Sequence, residues 1–198
     1  MGASIADASL QAGVSYKSVV EPRVRGIRSK YPQVTTTSQF IALADQVALA
    51  DILNWRHPEK LRRARVALSF FQSECIETES DLYTWIDRPG NKSRLMTLRG
   101  IGPKTFDYYR MIAGHPTLAI DRHLFAFLEI AGVECKDYSL AHRLLTETAM
   151  LLGHNPSSLD YSIWKYQSEG AEPCAAPNGG PATRSPNSGA AEGPPSVS

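Results

Sequence analysis

Cysteine is scarce. Cys75, Cys135 and Cys174 are the only three in 198 residues, and no two of them stand in a C-x-x-C spacing. That excludes a disulfide framework and a cysteine-held zinc or iron–sulfur centre, and it points to a reducing compartment. Long apolar runs are missing too, so no membrane span is expected. The opening MGASIADASLQAGV has no basic region ahead of an apolar one, and Ala6 stands where a myristoylation signal needs Ser or Thr; neither export nor lipidation is expected. Charge of one sign is lacking as well. The net charge is +1 and the pI about 7.7, so any affinity for nucleic acid must come from a local patch. No stretch alternates polar and apolar residues with period two, and no internal repeat occurs. P-loop, Rossmann and G-x-S-x-G patterns are absent. His115, His123, His142 and His154 have no i, i+4 pairing that would join two on one helix face, so no metal site is expected.

What remains is helical patterning in a chain with 42% hydrophobic residues, enough for a core. Residues 4–20 suit a short helix around Leu10, Val14 and Tyr16, interrupted at Glu21-Pro22 because proline disfavours helix in the residue before it. Arg23 to Lys30 carries Arg23, Arg25, Arg28 and Lys30, either a solvated surface or an arm for phosphate. Thr37 or Ser38 is a fitting N-cap for a helix over residues 40–53, with Phe40, Leu43, Ala44, Val47 and Ala48 on one face. Pro58 suits the first position of a helix reaching Phe71, with Arg62, Arg63 and Arg65 on a solvated side. Shorter helices fit residues 80–86 and 159–167, and a longer one 138–152. From residue 168 onward Gly, Pro, Ala, Ser and Asn dominate, a composition that cannot bury enough surface to offset its ordering entropy. The expected organisation is an N-terminal segment (1–20), an all-α domain (21–167) and a disordered tail (168–198).

Chemistry concentrates in Leu98-Arg99-Gly100-Ile101-Gly102-Pro103-Lys104-Thr105 and, soon after, Ala119-Ile120-Asp121-Arg122-His123-Leu124. Gly100 and Gly102 allow a tight turn of positive φ between two helices and close approach of another chain. Pro103 suits the first position of the second helix, whose free N–H groups and dipole favour an anion such as phosphate. Arg88, Lys92, Arg94, Arg99, Lys104 and Arg110 crowd this stretch against Asp87 and Asp107, the local basic footprint that bulk charge lacks. Asp121 is a natural N-cap for a helix from Arg122 to Ala131 closed by Gly132. Taken singly, a lysine in a first helical turn is a surface residue and such an aspartate a cap.

Taken together, L-x-G-I-G-x-K-T followed by A-I-D-x-H-L resembles the helix-hairpin-helix DNA glycosylase superfamily, most closely its endonuclease III-like branch, over about residues 95–133. The resemblance implies a compact all-α fold in which the hairpin (Leu98, Arg99, Gly100, Ile101, Gly102, Pro103, Thr105), with Arg122 and His123, holds the backbone of double-stranded DNA carrying a damaged base or abasic site. The nucleotide would be flipped into a pocket between helical lobes. Lys104 matches the lysine of members that also nick abasic sites, and Asp121 the aspartate shared by active members. The lysine amine would attack C1′, displace the base and leave a Schiff base, from which β-elimination cuts the strand. That requires a neutral amine, hence burial or neighbouring cations. Asp121 would stabilise the developing positive charge and assist proton transfer.

The chain departs from the family in three places. It lacks the C-terminal four-cysteine iron–sulfur cluster. It also lacks the L-L-S-x-Q-T stretch that supplies a residue to fill the gap left by the flipped base, for which Gln39, Gln46 and Gln72 are substitutes by type alone. Phe106-Asp107-Tyr108-Tyr109 replaces the usual small residues after K-T and reshapes the pocket side of that helix. Tyr108, Tyr109, Trp164 and Tyr166 either stack on an extruded base or belong to the core. The expectation is an intracellular, monomeric DNA-repair glycosylase and abasic-site lyase, needing no cofactor beyond room for a monovalent cation at the hairpin. The open alternatives are a non-catalytic helix-hairpin-helix DNA-binding protein, and a monofunctional glycosylase using water activated by Asp121.

Overall fold

A computed structural model describes residues 1–168. Among them every regular element is helical: α1 (Gly2–Leu10), α2 (Glu21–Lys30), α3 (Thr37–Gln46), α4 (Leu49–Ile52), α5 (Pro58–Ser73), α6 (Glu79–Ile86), α7 (Asn91–Met96), α8 (Pro103–Ala113), α9 (Arg122–Ile130), α10 (Tyr138–Leu151) and α11 (Pro156–Ser168), with a π-helical turn at Tyr16–Val20. No helix among the described residues is long and apolar enough to cross a membrane. The tail expected from residue 168, with Cys174, lies outside the described residues apart from Ser168, which ends α11.

Two main hydrophobic cores organise these helices, beside a third cluster of Leu10, Val20 and Val24. The larger gathers Ile5, Phe40, Leu68, Phe71, Ile86, Leu95 and Tyr109 from α1, α3, α5, α6, α7 and α8. The smaller gathers Leu118, Ile120, Leu124, Leu128, Ala141, Leu145 and Ile163, mostly from α9, α10 and α11. Between the lobes, Tyr138 Oη donates to the buried Asp107 Oδ2 at 2.8 Å, and Tyr16 meets Trp164 edge-on at 6.5 Å.

Three expectations are corrected. Residues 1–20, set apart from the domain by sequence, lie in its core: α1 is enclosed almost throughout, with Ile5 and Leu10 fully buried. Its polar Ser4, Asp7 and Ser9 are buried with the rest: Ser4 Oγ donates to Glu79, and Asp7 accepts from Tyr16 and Tyr108. Gly2 shows how close the approach is, because a Cβ there would stand 2.0 Å from the Phe40 ring. Glu21-Pro22 starts α2 rather than interrupting a helix, since proline in a first turn forfeits no intrahelical bond. The helix expected over 40–53 is two. It breaks at Val47, whose backbone is extended (φ −124°, ψ 131°), and α4 then turns Leu49, Ile52 and Leu53 into the core. Its N-cap is Thr36, one residue before the expected pair, in a capping box with Gln39.

Candidate active site

The hairpin forms where its glycines place it. α7 ends at Met96 and the chain reverses in a turn closed by Ile101 N–H donating to Leu98 O at 3.0 Å. Gly100 takes φ +93°, and a Cβ on it would stand 2.6 Å from Arg63 Nε. The positive φ favours glycine there, and a Cβ would also displace the end of the Arg63 side chain. Gly102 differs from expectation: its φ is −105°, and a Cβ would meet nothing within 4 Å. Nothing among the described residues requires glycine at 102, and the space beside it is open with respect to them. Gly102 is the N-cap of α8 and supplies no side-chain cap, with Pro103 in the first turn, so the N–H groups there are left for an outside acceptor. Leu98 and Ile101 pack against the larger core beneath the turn.

Behind the hairpin stands α5. Its Arg62 and Arg63, expected in solvent, bond Glu59 at 2.9 and 3.2 Å, and Arg99 from the turn reaches the same carboxylate at 3.8 Å. Glu59 therefore ties helix to hairpin, and the Arg62 hydrogen bond leads in holding its carboxyl down to about 2. Much of the basic footprint is matched by acids in the same way. Arg94 pairs with Glu74, while Arg110 bonds Asp87 at 2.9 Å and reaches Asp107 at 3.5 Å.

Lys104 and Asp121, seventeen positions apart, meet. Lys104 Nζ lies 3.8 Å from Asp121 Oδ2, with the two side chains 42% and 18% exposed. Asp121 caps α9: its Oδ1 accepts from the backbone N–H of His123 at 2.8 Å and of Leu124 at 3.2 Å. One oxygen is thus fixed by the helix and the other is presented to the amine. His123 lies in the same first turn, its ring nitrogen 3.4 Å from Arg122 Nε. A neutral lysine calls for burial or neighbouring cations; the geometry supplies a carboxylate and partial exposure.

Lys104 and Thr105 also line a pocket of about 50 Å³ between α1, α5 and α8, with Gln11, Arg63, Tyr108 and Tyr109 among its walls. Its lining includes two cations and no carboxylate. Tyr109 is core, edge-on to Phe71 at 5.2 Å. Tyr108 Oη donates to Asp7 Oδ1 at 3.0 Å behind the pocket, and burial raises the carboxyl of Asp7. Of the other aromatic candidates, Trp164 also lies beside Tyr161, at 6.1 Å, and Tyr166 stands edge-on to Phe127 at 6.3 Å. Gln39 is spent in its capping box, and Gln46 and Gln72 are exposed on helices away from the pocket lining. Gln11, not singled out from the sequence, is the glutamine that lines the same pocket as Lys104. Only the packing of α1 reveals it.

A second residue escaped the sequence reading. Asp160 of α11 accepts the backbone N–H of Ala119 at 2.8 Å through Oδ2, two residues before Asp121. Burial pushes its carboxyl up to about 6; the Ala119 hydrogen bond opposes this, Asp121 adds to it, and Lys104 opposes it. In sequence it was one acid among many on a short helix. Among the described residues no group of three or more His, Cys, Asp or Glu is placed to hold a metal ion.

A family model described as a domain of unknown function (DUF8548) matches residues 97–168. That span runs from the hairpin to the end of α11 and contains Lys104, Asp121 and Asp160. No curated protein and no solved structure matches the chain.

Proposed function

We propose that this protein is a DNA-repair glycosylase with abasic-site lyase activity, acting through a Schiff base on Lys104. The observation that carries the reading is the Lys104 amine 3.8 Å from the Asp121 carboxylate, in the first turn of a hairpin helix that has no side-chain cap. The partner is duplex DNA with a damaged base or an abasic site, met by a monomer inside the cell. The hairpin from Leu98 to Thr105 holds a phosphate next to the lesion through backbone N–H donors, and Gly102 leaves room for that approach. Lys104, as the neutral amine, forms a bond to C1′ while the C1′–N bond to the base breaks, and the base leaves as its anion and takes a proton from solvent. The attached nitrogen then sheds a proton, O4′ takes one up, and the C1′–O4′ bond breaks to leave the iminium. The iminium then loses a proton from C2′, and the C3′–O bond breaks with the phosphate as leaving group. Asp121, its Oδ1 tied to two amides, holds Oδ2 where positive charge develops on the sugar and receives the proton that Lys104 sheds.

Borohydride trapping tests this. The protein is incubated with duplexes carrying an abasic site or an oxidised base, then reduced. A covalent adduct that disappears in Lys104→Ala supports the reading. Base release without an adduct assigns the chemistry to water activated by Asp121. Salt-sensitive binding with neither outcome leaves a non-catalytic DNA-binding protein and refutes the proposal.

A further inference from the structure

Residues 116–120 run without helix between α8 and α9 and deliver Asp121 at their end. The segment is held from both sides. Leu118 and Ile120 are fully buried in the smaller core. Thr117 and Ala119, alternating with them, are gripped by α11. Ser157 Oγ accepts from Thr117 N–H at 3.3 Å and donates to Thr117 O at 2.9 Å, and Asp160 Oδ2 accepts from Ala119 N–H at 2.8 Å. Ser157 and Asp160 are three apart on one helix, so a single face of α11 provides both grips. Ala119 is buried, and its amide would have no partner without the Asp160 carboxylate.

We infer that Asp160 is a positioning residue of the Lys104–Asp121 site: its bond to Ala119 holds the Asp121 carboxylate against Lys104, and its charge adds a second anion to that pair. The catalytic consequence rests on the function proposed above; the coupling itself does not. Three groups face Asp160 electrostatically from three other elements: Asp121 at the start of α9, Lys104 on α8 and Tyr138 on α10. Tyr138 stays neutral, since burial raises its hydroxyl. The balance leaves Asp160 changing charge at about pH 6. Above that, the ionised carboxylate favours an iminium on Lys104; below it, the help is lost.

The test uses the full chain, with Asp160→Asn keeping an acceptor for Ala119 without the charge and Asp160→Ala losing both. Carboxyl NMR of aspartate-labelled protein without DNA reads the coupling directly. In the wild type the Asp121 resonance is expected to show an inflection near pH 6, which Asp160→Asn abolishes. Borohydride-trapped adduct on an abasic duplex is then expected to rise through the same pH in the wild type. In Asp160→Asn that limb should be missing and the yield about tenfold lower at neutral pH, the effect of one pKa unit of interaction. Asp160→Ala loses more, because the segment is released as well. If the Asp121 resonance ignores Asp160, or Asp160→Asn matches the wild type at every pH, the inference is overturned. An inflection that Asp160→Asn removes, with no adduct from any form, supports the positioning and refutes the enzymatic reading instead.

Discussion

Gly100 and Gly102 stand two residues apart, and the structure assigns them opposite reasons for being glycine. Gly100→Ala would put a β-carbon on a residue with φ +93°, a left-handed conformation that costs roughly 1–2 kcal/mol for an L side chain. The same β-carbon would stand 2.6 Å from Arg63 Nε and push that guanidinium off Glu59. Reduced freedom of the unfolded chain returns about 0.4–1 kcal/mol. The net loss is then on the order of 1 kcal/mol, lowering Tm by about 2–4 °C in a domain of this size. Gly102→Ser is predicted to behave differently. At φ −105° with open space around it, serine fits and is a better N-cap than glycine, so stability should hold or rise by a few tenths of a kcal/mol. Yet its side chain would occupy the open space beside Gly102 through which the proposed phosphate approaches. Affinity for duplex DNA should fall roughly tenfold, about 1.4 kcal/mol, the scale of one charge-assisted hydrogen bond. Thermal melting and fluorescence anisotropy on the same two variants read both quantities. Should Gly102→Ser bind DNA as the wild type does, the hairpin would not be the contact. An unchanged Tm in Gly100→Ala would mean that the turn is not built as described.

Asp121 carries a cap and a proposed catalytic role that two substitutions separate. Asp121→Ala should cost about 0.5–2 kcal/mol through the lost cap of α9, whereas Asp121→Asn should melt within a few tenths of the wild type, with both variants losing the borohydride adduct. Tyr138→Phe leaves Asp107, whose side chain is 6% exposed, without its 2.8 Å donor and should cost about 1–3 kcal/mol in urea unfolding, loosening the lobes. Asp160 sets a pH dependence whose sign follows from its raised carboxyl. The folded state holds that proton up to about pH 6 and the unfolded state only to about 3.8, so the stabilisation is complete below 3.8 and lost as pH rises through 6. Relative to the wild type, Asp160→Asn should therefore gain about 2–3 kcal/mol between pH 3.5 and 7 in denaturant titrations, and a difference that is flat with pH would refute that assignment.

The local chemistry of the chain was sufficient for many of its helix ends. Pro58 opens α5, Asp121 caps α9 and Gly132 takes φ +78° after it, because caps and breakers act within one turn and leave their mark in neighbouring residues. The all-helical fold was legible for the same reason, and so was the hairpin with its lysine. Tertiary structure alone decided the rest. No periodicity marks α1 as core, since Ser4, Asp7 and Ser9 interrupt its apolar residues and are buried with them, and only Phe40 lying against Gly2 says what encloses it. Arg63 of α5 looks solvated until the turn brings Gly100 beside it. Asp160 sits thirty-nine positions beyond Asp121, and nothing in its neighbours shows that α11 returns to grip Ala119. Burial and charge pairing are sums over whatever the fold brings together, so residues distant in sequence acquire them only once the chain has closed.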